Sequence, residues 1–147
     1  MGYSHYFNQK ANLDEQEWIN VCSGFSKIIA TSTAPLGDIT MTESYIAING
    51  QCETFYITKD IEASPYDKEL DGFGFCKTRQ YPYDEVVTAC LIYLYYEVPN
   101  KFDISSDGGW EHWLTGRELY TRAFGLTPEN ILERGKTNVS VSNLYSK

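Results

Sequence analysis

The sequence predicts an α+β fold: a mixed, largely antiparallel sheet with an Asn-Gly hairpin and about three helices packed on it. The chain has 147 residues, of which 42% are hydrophobic and 15% aromatic, which suffices for one domain with a substantial core. Alternating and helical patterns follow in the order β-α-β-β-β-α-β-α-α, without an internal repeat or a linker. We therefore predict a single domain over residues 1–135 and a polar tail over 136–147.

A strand and a helix are predicted at the N-terminal end. Residues 2–8 are aromatic and alternate in polarity, which is typical of a β-strand. Asn12 and Glu15 have the spacing of a capping box, in which the side chain of each residue accepts from the backbone of the other. Apolar residues then recur at helical spacing, so the first helix is predicted over about 13–31.

A β-hairpin is predicted at Asn49-Gly50, which lies between two short strand-like segments. Both residues tolerate the positive φ angles of a two-residue type I′ turn. Residues 59–71 are rich in acidic side chains and contain a proline, so we expect a solvated loop there. The pattern over 73–78 predicts a further strand, which follows the hairpin in the sheet.

The second helix, predicted over about 83–97, is apolar around nearly its whole circumference. A helix of this kind is normally buried on every side. Either it is the central helix against the sheet, or part of it faces a second subunit. Because Tyr93, Tyr95 and Tyr96 add more apolar surface than one small domain readily covers, we expect a homo-oligomer, most simply a two-fold dimer.

The C-terminal part is predicted to contain one strand and two helices. Residues 101–105 predict the strand, and a third helix follows over 109–124. Gly125 suits the left-handed position that commonly ends a helix. The Thr-Pro pair at 127–128 predicts the start of a short helix that ends near Gly135.

The charge balance disfavours partners that carry many negative charges. With 20 acidic and 12 basic residues the net charge is -8, which disfavours duplex nucleic acid and anionic membranes because both bind through phosphate neutralisation. The sequence contains neither an apolar stretch of membrane-spanning length nor the pattern of a signal peptide, so we expect a cytoplasmic protein. A small anion held by local donors stays compatible, since salt screens surface charge beyond about 8–10 Å.

Strong catalytic and metal-binding motifs are missing from the sequence. The four cysteines are Cys22, Cys52, Cys76 and Cys90, and they form no CxxC pair. We therefore expect reduced thiols and neither a metal nor a cofactor. His5 and His112 belong to no HExxH or phosphoesterase pattern, and no nucleophile elbow or P-loop occurs. A Cys76–His pair stays open as nucleophile and base, because a sequence does not reveal spatial adjacency.

The first candidate site is the loop Ser105-Ser106-Asp107-Gly108-Gly109, between a predicted strand and a helix start. Glycines there allow backbone N–H groups to point at a ligand, and a helix N-terminus favours anions. The alternative is structural, since Asp107 is also an ordinary N-cap and the glycines suit a tight turn.

The second candidate site is the end of the predicted 73–78 strand. Lys77, Thr78 and Arg79 precede Tyr83 and Asp84 at the start of the next helix. Two cations, a hydroxyl group and an aromatic ring meet here, as phosphate pairing and base stacking require. A solvated loop whose tyrosines pack into the core is the alternative.

Short motifs over residues 1 to about 125 resemble a family of small uncharacterised bacteriophage and prophage proteins. The motifs are Met1–Phe7, Glu53–Phe55, Phe75–Thr78, Pro82–Asp84 and Ser105–Gly108. Members of the family begin with a Met-Gly-Tyr-Thr-His-Tyr-Trp-like run, where this chain has Ser4 and Phe7 in place of Thr and Trp. The resemblance implies a phage protein that acts in an infected bacterial cell, and it implies no mechanism.

We therefore expect a non-enzymatic phage accessory protein that sequesters a small phosphate-containing, nucleotide-derived ligand and so counters host immunity. The loop and the two cations hold the phosphate in this hypothesis. Tyr6 or Tyr83 stacks on a base, and His5 or Asp84 contacts the sugar or the base edge. The alternatives are an acidic inhibitor that binds a host defence protein directly, and a small nucleotide-processing enzyme.

Overall fold

The α+β class is confirmed by the computed structural model, which describes residues 2–132. The strands are β1 (Ser4–Gln9), β2 (Ile39–Met41), β3 (Tyr45–Ile48), β4 (Phe55–Thr58), β5 (Phe73–Lys77) and β6 (Phe102–Ser106). The helices are α1 (Glu15–Thr31), α2 (Asp84–Glu97) and α3 (Leu114–Phe124), and short 3-10 turns lie at Lys68–Leu70 and Trp110–Trp113. Each predicted strand and helix within 2–125 therefore has a counterpart.

The strands form two separate antiparallel sheets, where a single mixed sheet was predicted. Sheet A has the order β5-β1-β6, and sheet B has the order β2-β3-β4. β5 thus pairs with β1 and does not extend the hairpin of sheet B. The reason is that alternation along a strand specifies which of its faces is buried, whereas the choice of neighbouring strand depends on the long-range packing.

The N-cap of helix α1 lies two residues after the predicted one. The N-cap is Asp14, whose carboxylate accepts from the Glu17 N–H at 2.8 Å, while Glu17 Oε1 accepts from the Asp14 N–H at 2.8 Å. The predicted cap, Asn12, instead accepts from the Ile61 N–H at 2.8 Å. Both residue types cap helices, so a contact with a distant segment decided between them.

The β3–β4 hairpin is confirmed, but its turn is not the predicted type I′ turn. Six residues connect the two strands, and neither Asn49 nor Gly50 has a positive φ. Asn49 continues the pairing of β3 with β2 by donating its N–H to Asp38 O at 3.1 Å. Gly50 lies against the Tyr83 ring, which an added Cβ would overlap. The glycine is therefore required by a close approach, and not by turn geometry.

Helix α2 is the central helix of the fold. It packs against α1, α3 and β6, and its buried residues cover all sides. Tyr93 and Tyr95 are half-buried, and Tyr96 is 40% exposed. Helix α2 is thus the central helix, which was the first of the two predicted alternatives. The dimer stays a prediction, but an uncovered face of α2 no longer supports it. Although α2 is apolar, no helix within residues 2–132 combines the length and hydropathy needed to cross a bilayer.

The connection from β6 to α3 contains the 3-10 turn Trp110–Trp113, so α3 begins later than predicted. Gly125 ends α3 with φ 72°, which confirms its left-handed role. Of the short helix predicted next, residues 131–132 are helical. Its predicted end near Gly135 and the 136–147 tail lie outside the described residues.

Helices α2 and α3 approach most closely where Gly116 faces Thr88. A Cβ added to Gly116 would overlap the Thr88 side chain and lie 3.2 Å from the Ala89 backbone nitrogen. We expect Gly116→Ala to lower the free energy of unfolding by about 1–3 kcal/mol, as overpacking of a core does. Urea unfolding measures this change. The control is Thr115→Ala, at an exposed neighbouring position, and an equal effect of both variants would contradict the close packing.

Candidate functional site

The two predicted ligand-binding segments lie on either side of strand β1. Ser4 is opposite Lys77 on β5, and His5 is opposite both Cys76 on β5 and Ser106 on β6. The beginning of β1 therefore lies between the ends of its two neighbours. The fold thus brings the Lys77–Arg79 turn and the Ser105–Gly109 loop to one edge of sheet A.

His5 is the centre of a buried polar network at this edge. Its side chain is fully buried, with Nδ1 2.8 Å from Ser106 Oγ and Nε2 2.7 Å from Asp84 Oδ1. The same Asp84 oxygen accepts from the Thr78 hydroxyl at 2.5 Å. Side-chain hydrogen bonds therefore connect β1, the β5–α2 turn and β6.

Aromatic rings shield this network from solvent. Tyr3 and Trp113 both pack edge-on against the His5 ring, with centroids 5.1 Å away in each case. Burial is the main cause that raises the pKa of Tyr3 to about 12, and the nearby Asp84 carboxylate adds to it. Hydrogen bonds in such a poorly hydrated site are stronger than on the surface, and leaving one unmade is more costly.

The hydrogen bonds at Ser106 determine where the His5 proton lies. Ser106 Oγ accepts from the Gly108 N–H at 3.0 Å and from Trp113 Nε1–H at 3.2 Å. Both lone pairs are then used, so the Ser106 hydroxyl donates its proton to His5 Nδ1. His5 Nε2 consequently carries the ring proton and donates it to Asp84.

The order Asp84–His5–Ser106 has the chemistry of a nucleophilic triad, in which an acid orients a base that activates a hydroxyl. Two features argue against that use. The lone pairs of Ser106 Oγ are occupied by internal donors, and backbone N–H groups that would stabilise an oxyanion are not free in the following loop. The arrangement acts as a clamp between three chain segments.

The Ser105–Gly109 loop, predicted as a phosphate site, has three N–H groups that are engaged within the protein. Its N–H groups donate internally: Asp107 to Ser4 O (2.9 Å), Gly108 to Ser106 Oγ (3.0 Å) and Gly109 to His112 Nδ1 (2.9 Å). A phosphate cradle requires N–H groups that are free to bind the ligand. These internal hydrogen bonds favour the structural alternative for the loop, in which its residues form a helix cap and a tight turn.

Asp107 connects the loop to β1 through its carboxylate. Oδ2 accepts from the Ser4 N–H at 2.9 Å, and Oδ1 accepts from the Tyr6 hydroxyl at 3.0 Å. This bond to Asp107 is the main cause that raises the pKa of Tyr6. This hydrogen bond holds the Tyr6 ring in place. The Asp107 carboxylate also puts a negative charge in the loop that was predicted to bind phosphate.

Tyr83 and Asp84, which were predicted to contact a base or a sugar, are both buried. The Tyr83 ring is fully buried, and its hydroxyl donates to Glu53 O at 2.6 Å. Burial raises the Tyr83 pKa well above its usual value. Asp84 is 5% exposed and is bound by His5 and Thr78. Both residues follow a strand end, but α2 carries them into the core.

The turn after β5 holds two consecutive non-glycine residues in the left-handed region. Arg79 has φ 56° and Gln80 has φ 59°, and such residues each cost about 1 kcal/mol or more. The Thr78 and Arg79 N–H groups both donate to Tyr3 O, at 3.0 and 3.2 Å. The N-terminal residues of the described chain thus stabilise a strained turn, and the turn holds the Arg79 side chain in solvent.

Lys77 and Arg79 lack ion-pair partners within residues 2–132. Among the other lysines, Lys10 pairs with Asp103 at 3.0 Å and Lys101 with Glu17 at 2.8 Å, whereas Lys27 and Lys68 also have no ion-pair partner within residues 2–132. Lys77 is half-buried and Arg79 is exposed. Two positive charges close together in the sequence are therefore available to an anion.

A second feature of this edge, not predicted, is the outer face of sheet A. We define this face as the residues Phe73, Phe75, Lys77, Ser4, Tyr6, Asn8, Asp103 and Ser105. Phe73 and Phe75 are 46% and 52% exposed, and Tyr6 stacks on Phe73 with centroids 6.4 Å apart. The alternation Phe-Gly-Phe-Cys-Lys in β5 contained this signal, because it puts both rings and Lys77 on one face.

An open cleft of about 470 Å³ lies between the α1–β2 connection, the β5–α2 turn and the beginning of α3. Asp84 and Glu85 line it, together with Tyr81 and His112. Its lining contains carboxylates and no lysine or arginine, so the cleft does not suit phosphate. The described part of the chain holds no cluster of three or more side chains that would bind a metal ion.

Arg117 has a structural role. Its guanidinium lies 5.0 Å from the centroid of the Trp110 ring, and Nη1 donates to Trp110 O at 3.2 Å. An aromatic face and a carbonyl oxygen, and not a carboxylate, therefore stabilise this charge.

Cys76 and His5 are opposite each other, but they do not form a nucleophile–base pair. Both His5 ring nitrogens are bound to other side chains, and the Cys76 thiol contacts Glu53 O at 3.4 Å. Burial raises the pKa of the Cys76 thiol to about 12. A thiol in this state is a poor nucleophile at neutral pH.

Comparison of the chain with protein-family models, with curated protein sequences and with solved structures gave no match. The resemblance to small phage proteins therefore stays a prediction.

We expect Asp84→Ala to lower the free energy of unfolding by about 3 kcal/mol, because His5 and Thr78 would each keep a buried donor without an acceptor. Thermal or urea unfolding measures the change. The control is Asp103→Ala, which removes an exposed pair with Lys10 and should cost less than about 1 kcal/mol. Similar losses in the two variants would argue against the network.

We expect the Cys76 thiol to resist iodoacetamide in the folded protein and to react after denaturation. Its pKa of about 12 lies above that of an exposed thiol, so raising the pH from 8 to 10 should accelerate labelling of unfolded protein only. Peptide mapping by mass spectrometry measures the labelling. Rapid native labelling near pH 8 would contradict the burial of this thiol.

Proposed function

We propose that the protein binds and sequesters a small phosphate-containing ligand, without turning it over, at the Lys77 end of the outer face of sheet A. The observation that carries this proposal is the pair of cations Lys77 and Arg79, which have no ion-pair partner within residues 2–132 although the chain has a net charge of -8. Lysine and arginine side chains that are free of carboxylates are the usual phosphate ligands in proteins.

The predicted ligand residues divide into two groups in this proposal. Lys77 and Arg79 contact the phosphate, and Tyr6 and Ser105 lie on the same face and contact the rest of the ligand. The remaining residues hold the strand ends in place: His5, Thr78, Tyr83, Asp84, Ser106, Asp107, Gly108 and Gly109. Most of this second group is buried or engaged in internal hydrogen bonds, so it reaches the ligand only by positioning the first.

Three features support binding without catalysis. His5 Nδ1 is bound to Ser106, whose oxygen already accepts from Gly108 and Trp113, and the Cys76 thiol stays protonated. The N–H groups of the Ser105–Gly109 loop that lie nearest to Ser106 donate internally. A general base, a nucleophile and an oxyanion site are the groups that hydrolysis needs, and each of these candidates is otherwise engaged.

The resemblance to phage proteins supports the biological part of the proposal. A protein that sequesters a nucleotide-derived immune signal in the cytoplasm of an infected bacterium would counter host immunity without catalysis. A two-fold dimer also belongs to this proposal, and light scattering at tens of micromolar protein tests it. A purely monomeric mass would remove the dimer and leave ligand binding unaffected.

A second candidate function is hydrolysis by Asp84, His5 and Ser106. The observation that favours it is the continuous hydrogen-bond chain from the carboxylate through the imidazole to the hydroxyl. Ser106 becomes a nucleophile only if the Gly108 and Trp113 donors move away from its oxygen. A fluorophosphonate probe tests this, because labelling that disappears in Ser106→Ala would establish an activated serine.

Binding is tested by incubating the purified protein with a panel of linear and cyclic nucleotides and pyrophosphate, followed by heat release and chromatography. Intact recovery of a bound compound supports sequestration. A new product would make the protein an enzyme, and no retention across the panel would favour the acidic inhibitor of a host protein.

We expect Lys77→Ala to weaken binding of a retained compound by about 10- to 150-fold, since charge-assisted contacts are worth about 1.5–3 kcal/mol. Isothermal titration calorimetry measures the affinity. The control is Lys68→Ala, which removes an exposed lysine of the 59–71 segment and changes the net charge equally. Equal effects of the two variants would mean that only the overall charge matters.

A further inference from the structure

The outer face of sheet A exposes aromatic surface that the core does not need. Phe73 and Phe75 are 46% and 52% exposed, with ring centroids 6.1 Å apart. The opposite face of the same sheet already supplies the core with buried side chains such as Phe7 and Cys76. Contiguous exposed apolar surface is a feature of interaction sites, whereas single scattered apolar residues are ordinary.

The Tyr6 ring extends this aromatic surface onto the central strand. It stacks on Phe73 at an interplanar angle of 23°, and its hydroxyl is held by Asp107 at 3.0 Å. Tyr6 is opposite Phe75 on one side and Ser105 on the other. A ring in a fixed orientation loses little conformational entropy when a ligand stacks on it.

The charge on this face is positive only at one end. Lys77 lies two residues beyond Phe75 on the same side of β5, which is about 7 Å along a strand. At the β6 side Asp103 pairs with Lys10, whereas Asp107 accepts only from the uncharged Ser4 N–H and Tyr6 hydroxyl and keeps its negative charge. The surface therefore complements a ligand with a planar ring and an anionic group a short distance apart.

We infer that the outer face of sheet A binds the base of a nucleotide, with Phe75 stacking on the base and Lys77 contacting the phosphate. This inference rests on the proposed function, because Lys77 is its phosphate ligand, and it adds the chemical class of the ligand. Aromatic stacking is tolerant of the base, since every base has a π-face. Purine and pyrimidine nucleotides therefore both bind, and the larger purines bind more tightly.

The test compares ADP, UDP, pyrophosphate and adenosine as probes of the full-length chain in isothermal titration calorimetry. ADP should bind more tightly than pyrophosphate, which lacks the base, and more tightly than adenosine, which lacks phosphate. Phe75→Leu should weaken ADP binding by about 5- to 150-fold, the usual range for loss of one stacking ring, and leave pyrophosphate binding unchanged. Lys77→Ala should weaken binding of both compounds.

The control is Tyr66→Leu, which removes a ring that is 92% exposed on the 59–71 segment and should change no affinity. Leucine keeps apolar bulk at Phe75, and circular dichroism verifies that the variant is folded.

Each contrary result has a separate meaning. If pyrophosphate binds as tightly as ADP and Phe75→Leu changes neither affinity, the base-binding inference is overturned and the proposed function stands. If none of the four probes binds at millimolar concentration, both fail. If Phe75→Leu converts a dimer to a monomer in sedimentation without changing ADP affinity, the face is a contact between two copies, and the inference is also overturned.

Discussion

A buried imidazole needs partners for both ring nitrogens, because each unpaired buried polar atom costs about 1–3 kcal/mol. At His5 these partners come from two distant segments: Ser106 is the last residue of β6, and Asp84 begins α2. Satisfying this one side chain aligns the end of β6 and the beginning of α2 with β1. The positions of the exposed groups at this edge, Lys77 and Ser105 among them, follow from that alignment.

The same network separates a buried polar layer from a surface that is open to ligands. Below the sheet, hydroxyl, imidazole and carboxylate groups satisfy one another, and Tyr3 and Trp113 exclude water from them. Above the sheet, the Phe75 ring is about half exposed, and Lys77 has no ion-pair partner within residues 2–132. An internally satisfied support of this kind holds the exposed groups above it in fixed positions.

Local patterns predicted the elements well and their connections poorly. The helical spacing predicted α1 and α2, and the strand signals on either side of Asn49-Gly50 predicted the hairpin. The capping box and the turn type were wrong, because Asn12 binds the distant Ile61 N–H and Gly50 contacts the Tyr83 ring. Both errors have one cause: a residue with several local uses takes the one that its long-range contacts permit.

The sequence by itself determined the α+β class, the central position available to α2 and the small set of polar residues from which a site could be built. The tertiary structure alone decided which of these residues are exposed. Tyr83 and Asp84 were predicted to contact a ligand but lie in the core, whereas Phe73 and Phe75, whose exposure was not predicted, face solvent. The reason is that alternation assigns residues to the two faces of a strand, and only the packing of the helices and of sheet B determines which face is covered.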